Sequence, residues 1–282
     1  MCYDHHKKSG NRGDVVKHVA LWAALDGCLR SFSGDTFRYA DTFAGYAWNP
    51  LVDRPGNEWK QGIGSLVQHG DSFRENGVVD AWARRYLSWQ DGEERRYPGS
   101  AVIARDLFKD HDVKYQMSLW DIADAPVASL KEEFQETARV YQHPATLGER
   151  DVQEADFLFI DPPGLKTRSR PEYPAWQDIQ TFLQSRDSNR PLMMWLPIKA
   201  VTRFSPPKED ALSLSVRDEI IDLGFSVVKV RYRRGGTTIG CQIVHNFSCN
   251  IANEIPQAIS SVVDIAGWKD EIGHDLKAVV TY

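Results

Sequence analysis

The chain has 282 residues, of which 42% are hydrophobic and 26% are charged, and these values exclude a mostly disordered protein. The net charge of −5 argues against a broad nucleic-acid-binding surface, but it leaves room for a local basic groove. No apolar run approaches the roughly 20 residues of a membrane span, and no secretory signal is visible, so we expect a cytoplasmic protein. The four cysteines form no C-x-x-C pair, and we expect no metal site.

The first part of the chain predicts helices around one short strand. The elements expected there are, in order, a helix from Val15 to about Leu29, a strand over 37–41, an inserted helical subdomain over 50–96, and a helix from Ser100 to Phe108. Asp14 and Ser100 are expected to cap the two helices. The insertion is predicted from its many charges, several tryptophans and helical spacing.

Strands and helices alternate through the rest of the chain. We expect strands over 114–119, 139–141, 157–160, 192–196, 225–232 and 238–248, and helices over 126–137, 175–183 and 208–222. This alternation predicts an open, mostly parallel α/β sheet. The short link 233–237 predicts a hairpin, so one closing strand should be antiparallel.

The first candidate site is the turn that follows strand 37–41. A strand that ends in small residues lets backbone amides approach a ligand closely. The G-x-G-x-x-G pattern of dinucleotide-binding proteins is absent. Asp41, Phe43 and Gly45 fit the D-x-F-x-G-x-G loop of S-adenosylmethionine (SAM) enzymes better, although Ala47 stands where a second glycine is expected. The alternative is an ordinary turn between a strand and a helix.

Two further polar residues are candidate contacts to such a cofactor. Asp121 follows the second long strand, where an acidic residue can accept hydrogen bonds from ribose hydroxyls. A helix cap is the alternative for Asp121. His18, in the first helix, can face the cofactor pocket or serve as a core histidine.

The motif Asp161-Pro162-Pro163-Gly164 follows a strand that is apolar throughout. Two prolines stiffen the backbone and remove two N–H donors, which leaves the Asp161 carboxylate and the Pro162 carbonyl as rigid acceptors. An exocyclic amine has two N–H groups that match these acceptors. Such positioning directs the nitrogen lone pair along one line, as a methyl transfer requires. The alternative is a turn that only ends the strand.

Two basic runs flank the predicted site. They cover 166–170, directly after the proline motif, and 229–234, at the end of a late strand. Both fall near the expected carboxyl-end edge of the sheet, where contacts to phosphates are plausible. A solvated charged face is the alternative.

Four motifs in chain order resemble those of one family, the ribosomal RNA large-subunit adenine-N6 methyltransferases of the RlmJ type. The match covers most of the chain, and the first and third motifs are quite specific to that family. The segments are Gly10–His18, similar to G-N-x-x-D-V-x-K-H; Asp41–Gly45, similar to D-T-H-A-G; Tyr97–Arg105, similar to Y-P-G-S-x-x-I-A-R; and Asp161–Pro163, similar to D-P-P-Y.

The resemblance implies a Rossmann-like SAM-dependent methyltransferase fold, with a mostly parallel seven-stranded sheet, one antiparallel strand and a helical insertion. The methyltransferase domain would comprise 1–49 and 97–282. Roles are implied for individual residues as well. These are SAM contacts from His18, Ser100 and Asp121 and from Asp41, Phe43 and Gly45 in the cofactor loop, catalysis by Asp161 with Pro162, and a substrate contact from Tyr3. Gly164 in the proline motif and Lys166 in the basic run after it are the other candidate substrate contacts.

The chain departs from the family pattern at three places. Phe43 replaces a histidine of the cofactor loop, and Pro144-Ala145 stand where the family has Asp-Gly beside the adenine of SAM. Gly164 replaces the aromatic residue that stacks on the target base, a contact worth about 1–3 kcal/mol. Substitute rings could come from Tyr3, Tyr173, Trp176 or Trp195.

We therefore expect a monomeric SAM-dependent N-methyltransferase whose acceptor is the N6 amine of an adenine in ribosomal RNA. One alternative is the same fold and cofactor with another amine acceptor, in DNA, a peptide or a small molecule. The other is a module that binds SAM or RNA without catalysis.

Overall fold

The computed structural model describes most of the chain. The described residues are 9–51, 58–69, 82–83, 85, 95–145, 148–164, 175–201, 208–231, 238–268 and 278–279. Within these ranges, no helix combines the length and the apolar character that crossing a membrane requires. The predicted division into a methyltransferase domain and an insertion over 50–96 stays a prediction, because much of that segment lies outside the described residues.

The helices and strands follow one another in an alternating α/β order. The helices are α1 (Arg12–Ser31), α2 (Ile63–Gln68), α3 (Ser100–Asp110), α4 (Asp124–Phe134), α5 (Arg150–Gln153), α6 (Trp176–Ser185), α7 (Ala211–Asp222) and α8 (Cys249–Ile265). The strands are β1 (Phe37–Asp41), β2 (Trp48–Pro50), β3 (Arg96–Pro98), β4 (Tyr115–Trp120), β5 (Ala138–Tyr141), β6 (Phe157–Ile160), β7 (Leu192–Val201), β8 (Lys208–Glu209), β9 (Ser226–Arg231), β10 (Thr238–His245) and β11 (Ala278–Val279).

The main sheet has the strand order β11-β9-β10-β7-β6-β1-β4-β5, with β8 paired to β7. Strands β5, β4, β1, β6 and β7 are parallel neighbours, and β10 runs antiparallel between β7 and β9. The seven expected strands and the antiparallel closing strand are thus confirmed, and the fold is the Rossmann-like methyltransferase fold. The two-residue strands β8 and β11 were not expected.

Apolar residues cover both faces of the sheet. Strand β6 illustrates why, since all four of its residues are buried and they alternate between the two core clusters. Phe157 and Phe159 belong to the cluster under α1 and α8, whereas Leu158 and Ile160 belong to the cluster under α6 and α7. A strand buried on both faces requires a continuous apolar sequence, as this one has.

Both predicted helix caps are wrong. Asn11 caps α1, because its side chain accepts a hydrogen bond from the backbone N–H of Asp14 (3.1 Å). Gly99 is the cap residue of α3, and Ser100 lies in the first turn, where its hydroxyl bonds Asp41 instead. In each case a nearby residue has the required extended backbone at the cap position.

The segment that contains Gln61, Gly62 and Ile63 docks on the beginning of α1. The backbone N–H of Ile63 donates to the carbonyl of Gly10 (2.9 Å), and Arg12 Nε donates to the carbonyl of Gln61 (2.9 Å). At Gly62 the chains approach so closely that a Cβ atom would lie 2.1 Å from the Gly10 oxygen. This contact fixes the start of the helix that carries Lys17 and His18.

Candidate active site

The three predicted site carboxylates lie at the carboxyl ends of three adjacent strands. Asp41 is the last residue of β1, Asp121 directly follows β4, and Asp161 directly follows β6. Because β1 lies between β6 and β4 and all three strands are parallel, these residues share one edge of the sheet. Ligands of open α/β sheets bind outside this edge.

The Asp161 carboxylate is held by a buried lysine of α1. Lys17 Nζ donates to Asp161 Oδ2 at 2.6 Å and lies 3.3 Å from Asp14 Oδ1. Burial disfavours the lysine charge, but the charges and hydrogen bonds of the two carboxylates outweigh burial and raise the pKa of Lys17 above its usual value. The Asp161 side chain is 20% exposed, so it faces both Lys17 and the open edge. Pro162, the next residue, is buried.

Asp41 lies entirely within the protein. Its Oδ2 accepts hydrogen bonds from the hydroxyls of Ser100 (2.6 Å) and Tyr39 (3.2 Å), and its Oδ1 accepts one from the backbone N–H of Phe43 (3.2 Å). Burial raises the pKa of Asp41 to about 7, although these hydrogen bonds oppose the shift. Asp41 therefore holds the loop after β1 through its bond to the Phe43 backbone. Ser100 contributes to the site indirectly, by orienting the Asp41 carboxylate.

The loop after β1 is also fixed by Asp121. Its Oδ2 accepts from the backbone N–H of Gly45 (3.1 Å), and its Oδ1 accepts from the N–H of Ala123 at the start of α4 (2.8 Å). Burial raises the pKa of Asp121 despite these bonds. Gly45 has a φ of +63°, and a Cβ there would meet nothing within 4 Å, so open space adjoins the loop. Asp121 is therefore not the cap of α4, whose N-cap residue is Ala123, and the contact to Gly45 places it against the predicted cofactor loop.

His18 packs against a residue of the third motif. Its Nδ1 lies 2.8 Å from the Tyr97 hydroxyl, and the two rings stack with centroids 5.2 Å apart. Both residues are buried. The first and third sequence motifs therefore meet in space, next to the carboxyl edge.

Gly164 has a φ of +147°, a conformation that side-chain-bearing residues rarely adopt. The backbone itself therefore disfavours an aromatic residue here. Trp176 is buried, and its Nε1 donates a hydrogen bond to Glu219 Oε2 (2.5 Å). Trp195 lies beside the end of β6, because the preceding residue, Met194, is aligned with Ile160. The Trp195 side chain packs in the core cluster under α1. Tyr3, Lys166 and Tyr173 lie outside the described residues.

Lys17 and Asp14 are members of the site that the sequence did not predict. The sequence does show that Asp14 and Lys17 stand three residues apart in a helix whose other residues are mostly apolar. Helix α1 is buried on nearly all sides, and a charged residue in such a helix requires a partner. The partner Asp161 lies 144 residues further along the chain, and no local pattern indicates that distance.

The chain is similar to two curated ribosomal RNA methyltransferases. It is 24% identical to ribosomal RNA large subunit methyltransferase J of Escherichia coli (strain K12) over 256 residues, which cover 87% of each chain. It is 30% identical to the protein of the same name from Haemophilus influenzae over 115 residues, or 40% of each chain. No protein-family model matches the chain.

A crystal structure of a protein from Legionella pneumophila (strain Philadelphia 1) has the same fold. Its TM-score is 0.68 at 17% identity, over 91% of this chain and 93% of that one. The strand order and the similarity to methyltransferase J define the class of the protein, which is the SAM-dependent methyltransferases. Within that class, the curated relatives to which the chain is similar are, by their names, enzymes of large-subunit ribosomal RNA.

Proposed function

We propose that this protein methylates the N6 amine of an adenine in ribosomal RNA, with SAM as the methyl donor. The observation that supports the proposal best is the Lys17–Asp161 ion pair beside Pro162. This pair fixes one carboxylate at the edge of the sheet, next to a carbonyl group whose own peptide unit is stiffened by proline.

In this mechanism the acceptor amine donates one N–H to the Asp161 carboxylate and the other to the Pro162 carbonyl. Lys17 holds Asp161 by Oδ2, so the carboxylate cannot turn away from the amine. With both N–H groups engaged, the nitrogen lone pair points along the edge toward the loop after β1. The proton that the methylated amine loses passes to Asp161 or to water.

The residues at this edge suit a positively charged ligand. Asp41, Asp121 and Asp161 end adjacent strands, and the backbone at Gly45 leaves space above the loop. SAM would supply an electrophilic methyl group on a sulfonium, and carboxylates stabilise such a cation. Asp121 and the loop residues Phe43 and Gly45 would hold it directly, whereas the buried residues His18, Asp41 and Ser100 would position the loop and helix around it.

The acceptor base must leave its stack to reach Asp161, because the amine is inaccessible within a duplex. Tyr3, Gly164 and Lys166 are the proposed contacts to this base and its phosphates. Gly164 offers no ring, and this observation favours the second candidate function, in which the acceptor is an amine of DNA, a peptide or a small molecule.

Methyl transfer from radiolabelled SAM tests the proposal. The acceptors are ribosomal RNA transcribed without modifications, DNA and free adenosine. We expect label in N6-methyladenosine from the RNA with the wild-type protein. Asp161→Asn should reduce turnover by about two powers of ten or more, since misorientation of a reacting group has effects of that size, and Lys17→Met should act in the same direction.

Calorimetry with SAM provides the control, because both variants should still bind the cofactor, whose direct contacts are assigned to other residues. Transfer to DNA or adenosine but not to RNA would favour the second candidate function. Full activity of Asp161→Asn would contradict the proposed role of the carboxylate.

A further inference from the structure

A second charged cluster lies three strands away from β6, where β8, β9 and α7 meet. The Glu209 carboxylate pairs with Lys229 and with Nη2 of Arg231, and Nη1 of Arg217 lies 4.0 Å from its other oxygen. The Glu209 side chain is only 3% exposed, whereas that of Arg231 is 39% exposed. We call the three cations Arg217, Lys229 and Arg231 the basic rim.

The topology brings the basic rim to the same edge of the sheet as Asp161. Strand β10 is antiparallel to both β7 and β9, so β9 runs in the direction of β7 and β6. Arg231 ends β9 and therefore lies at the carboxyl edge.

The register gives the distance. Arg231 is aligned with Gly240, and Gly240 with Ile198. Ile198 stands four residues beyond Met194, the partner of Ile160. Because Asp161 follows Ile160, Arg231 lies three residues beyond Asp161, which is about 10 Å along the strands, and three strand spacings add about 14 Å across the sheet. The separation between Arg231 and Asp161 is thus on the order of 20 Å, which a nucleic-acid strand spans with a few nucleotides and a free nucleoside does not.

The cluster has more positive than negative charge. Its three cations face the carboxylates of Glu209 and of Asp218, which pairs with Arg217 (2.8 Å). Alternate residues Val228 and Val230 belong to the cluster under α1, so Lys229 and Arg231 lie on the opposite, α7 face. A guanidinium has five N–H donors, and the contact with Glu209 engages only Nη2 of Arg231.

The buried carboxylate orients these cations rather than neutralising them. A buried carboxylate requires one cation as a partner, and the three cations around Glu209 exceed that requirement. A fixed arginine beside a lysine is well suited to phosphate oxygens, which accept charge-assisted hydrogen bonds.

We propose that the basic rim binds the phosphates of the RNA strand that flanks the target nucleotide, as it leaves the catalytic edge over the α7 face. This inference rests on the proposed function and specifies a polymeric substrate. Phosphate contacts release counterions, so each contact contributes to the salt dependence of RNA affinity.

Fluorescence anisotropy with an unmodified transcript of large-subunit ribosomal RNA, measured without SAM at several salt concentrations, tests the inference. We expect Arg231→Gln to raise the dissociation constant about tenfold and to lower the salt slope by about 0.7–1. The matched control is Arg150→Gln, because Arg150 is 83% exposed and also pairs with a carboxylate, that of Glu154. Arg150 lies on α5, just before β6 begins, and is therefore at the edge of the sheet opposite to Asp161. This control should bind RNA like the wild type.

The conservative variant Arg231→Lys should keep the wild-type salt slope, and thermal unfolding of each variant checks that the fold is intact. Unchanged affinity and slope in Arg231→Gln, or an equal loss in Arg150→Gln, would overturn the role of the basic rim. Methyl transfer is measured separately. Absence of transfer by the wild type would contradict the proposed function, while a selective effect of Arg231→Gln on binding would still support the basic rim.

Discussion

At the scale of single residues, the site depends on charges that are buried only because they are paired. Lys17 is 7% exposed, and an unpaired ammonium in that position would be strongly disfavoured. Its bonds to Asp161 and Asp14 therefore stabilise the fold and orient the carboxylate at the same time. The position of Asp161 is determined by α1 as well as by its own strand.

The raised pKa of Asp41 should make the free energy of unfolding depend on pH. Its pKa is raised from an ordinary 3.8 to about 7, so between these values the folded state keeps a proton that the unfolded state has released. The free energy of unfolding should fall as pH rises through this window. Asp41→Asn cannot ionise, and its amide oxygen can still accept the Ser100 hydroxyl.

Denaturant unfolding of both proteins between pH 5 and pH 8 measures this effect. The wild type should lose stability relative to Asp41→Asn as pH increases, with the difference levelling off above about pH 7. Other titrating groups are common to both proteins and cancel in the comparison. A constant difference across this range would show that Asp41 does not titrate there.

The sequence predicts individual site residues better than it predicts their partners. Asp161 was identified because a rigid acceptor pair follows an apolar strand, and both features are local. The ion pair with Lys17 and the bond from Ser100 to Asp41 join residues 144 and 59 positions apart. Only the sheet topology creates these contacts. Gly164 could be recognised as unusual, but its positive φ is a property of the folded backbone.

At the scale of elements, the contact between the start of α2 and the start of α1 leaves no room for a side chain at Gly62. A Cβ at residue 62 would lie 2.1 Å from the Gly10 oxygen and 2.5 Å from the carbonyl carbon of Asn11. These are backbone atoms and cannot move independently of α1. Gly62→Ala should therefore lower the free energy of unfolding by about 1–3 kcal/mol, as overpacking does.

The matched control for this prediction is Gly148→Ala. A Cβ at Gly148 would meet nothing within 4 Å. Urea unfolding should show a loss of stability for Gly62→Ala and a change near zero for Gly148→Ala. Equal stability of Gly62→Ala and the wild type would mean that the contact of Gly62 with the start of α1 is loose.

Most elements of the sheet could be predicted, because buried strands are apolar and alternate with helices. Helix α8 was missed, although Ile251, Ile255 and Ile259 have helical spacing and it packs against α1. Pro256 lies inside α8, and proline normally interrupts a helix. Tertiary packing of an apolar face outweighs that local cost here, and a single sequence does not reveal such packing.

At the scale of the whole molecule, the fold separates charge within a protein whose net charge is −5. Three carboxylates end the central strands β6, β1 and β4, and the basic rim lies further along the same edge at β9. The opposite edge holds a polar cavity of about 250 Å³ lined by Arg38, Arg139 and Arg150 among others. That cavity is remote from Asp161, and its lining is largely engaged in ion pairs.

The most direct test is a crystal structure of the protein with S-adenosylhomocysteine, the product that remains after methyl transfer. We predict that its sulfur lies above the loop after β1 and faces Asp161 and the Pro162 carbonyl, with its ribose next to Asp121. Binding at the opposite edge, in the arginine-lined cavity, or with the sulfur directed away from Asp161 would contradict the assignment of Asp161 and Pro162 as the groups that hold the acceptor amine.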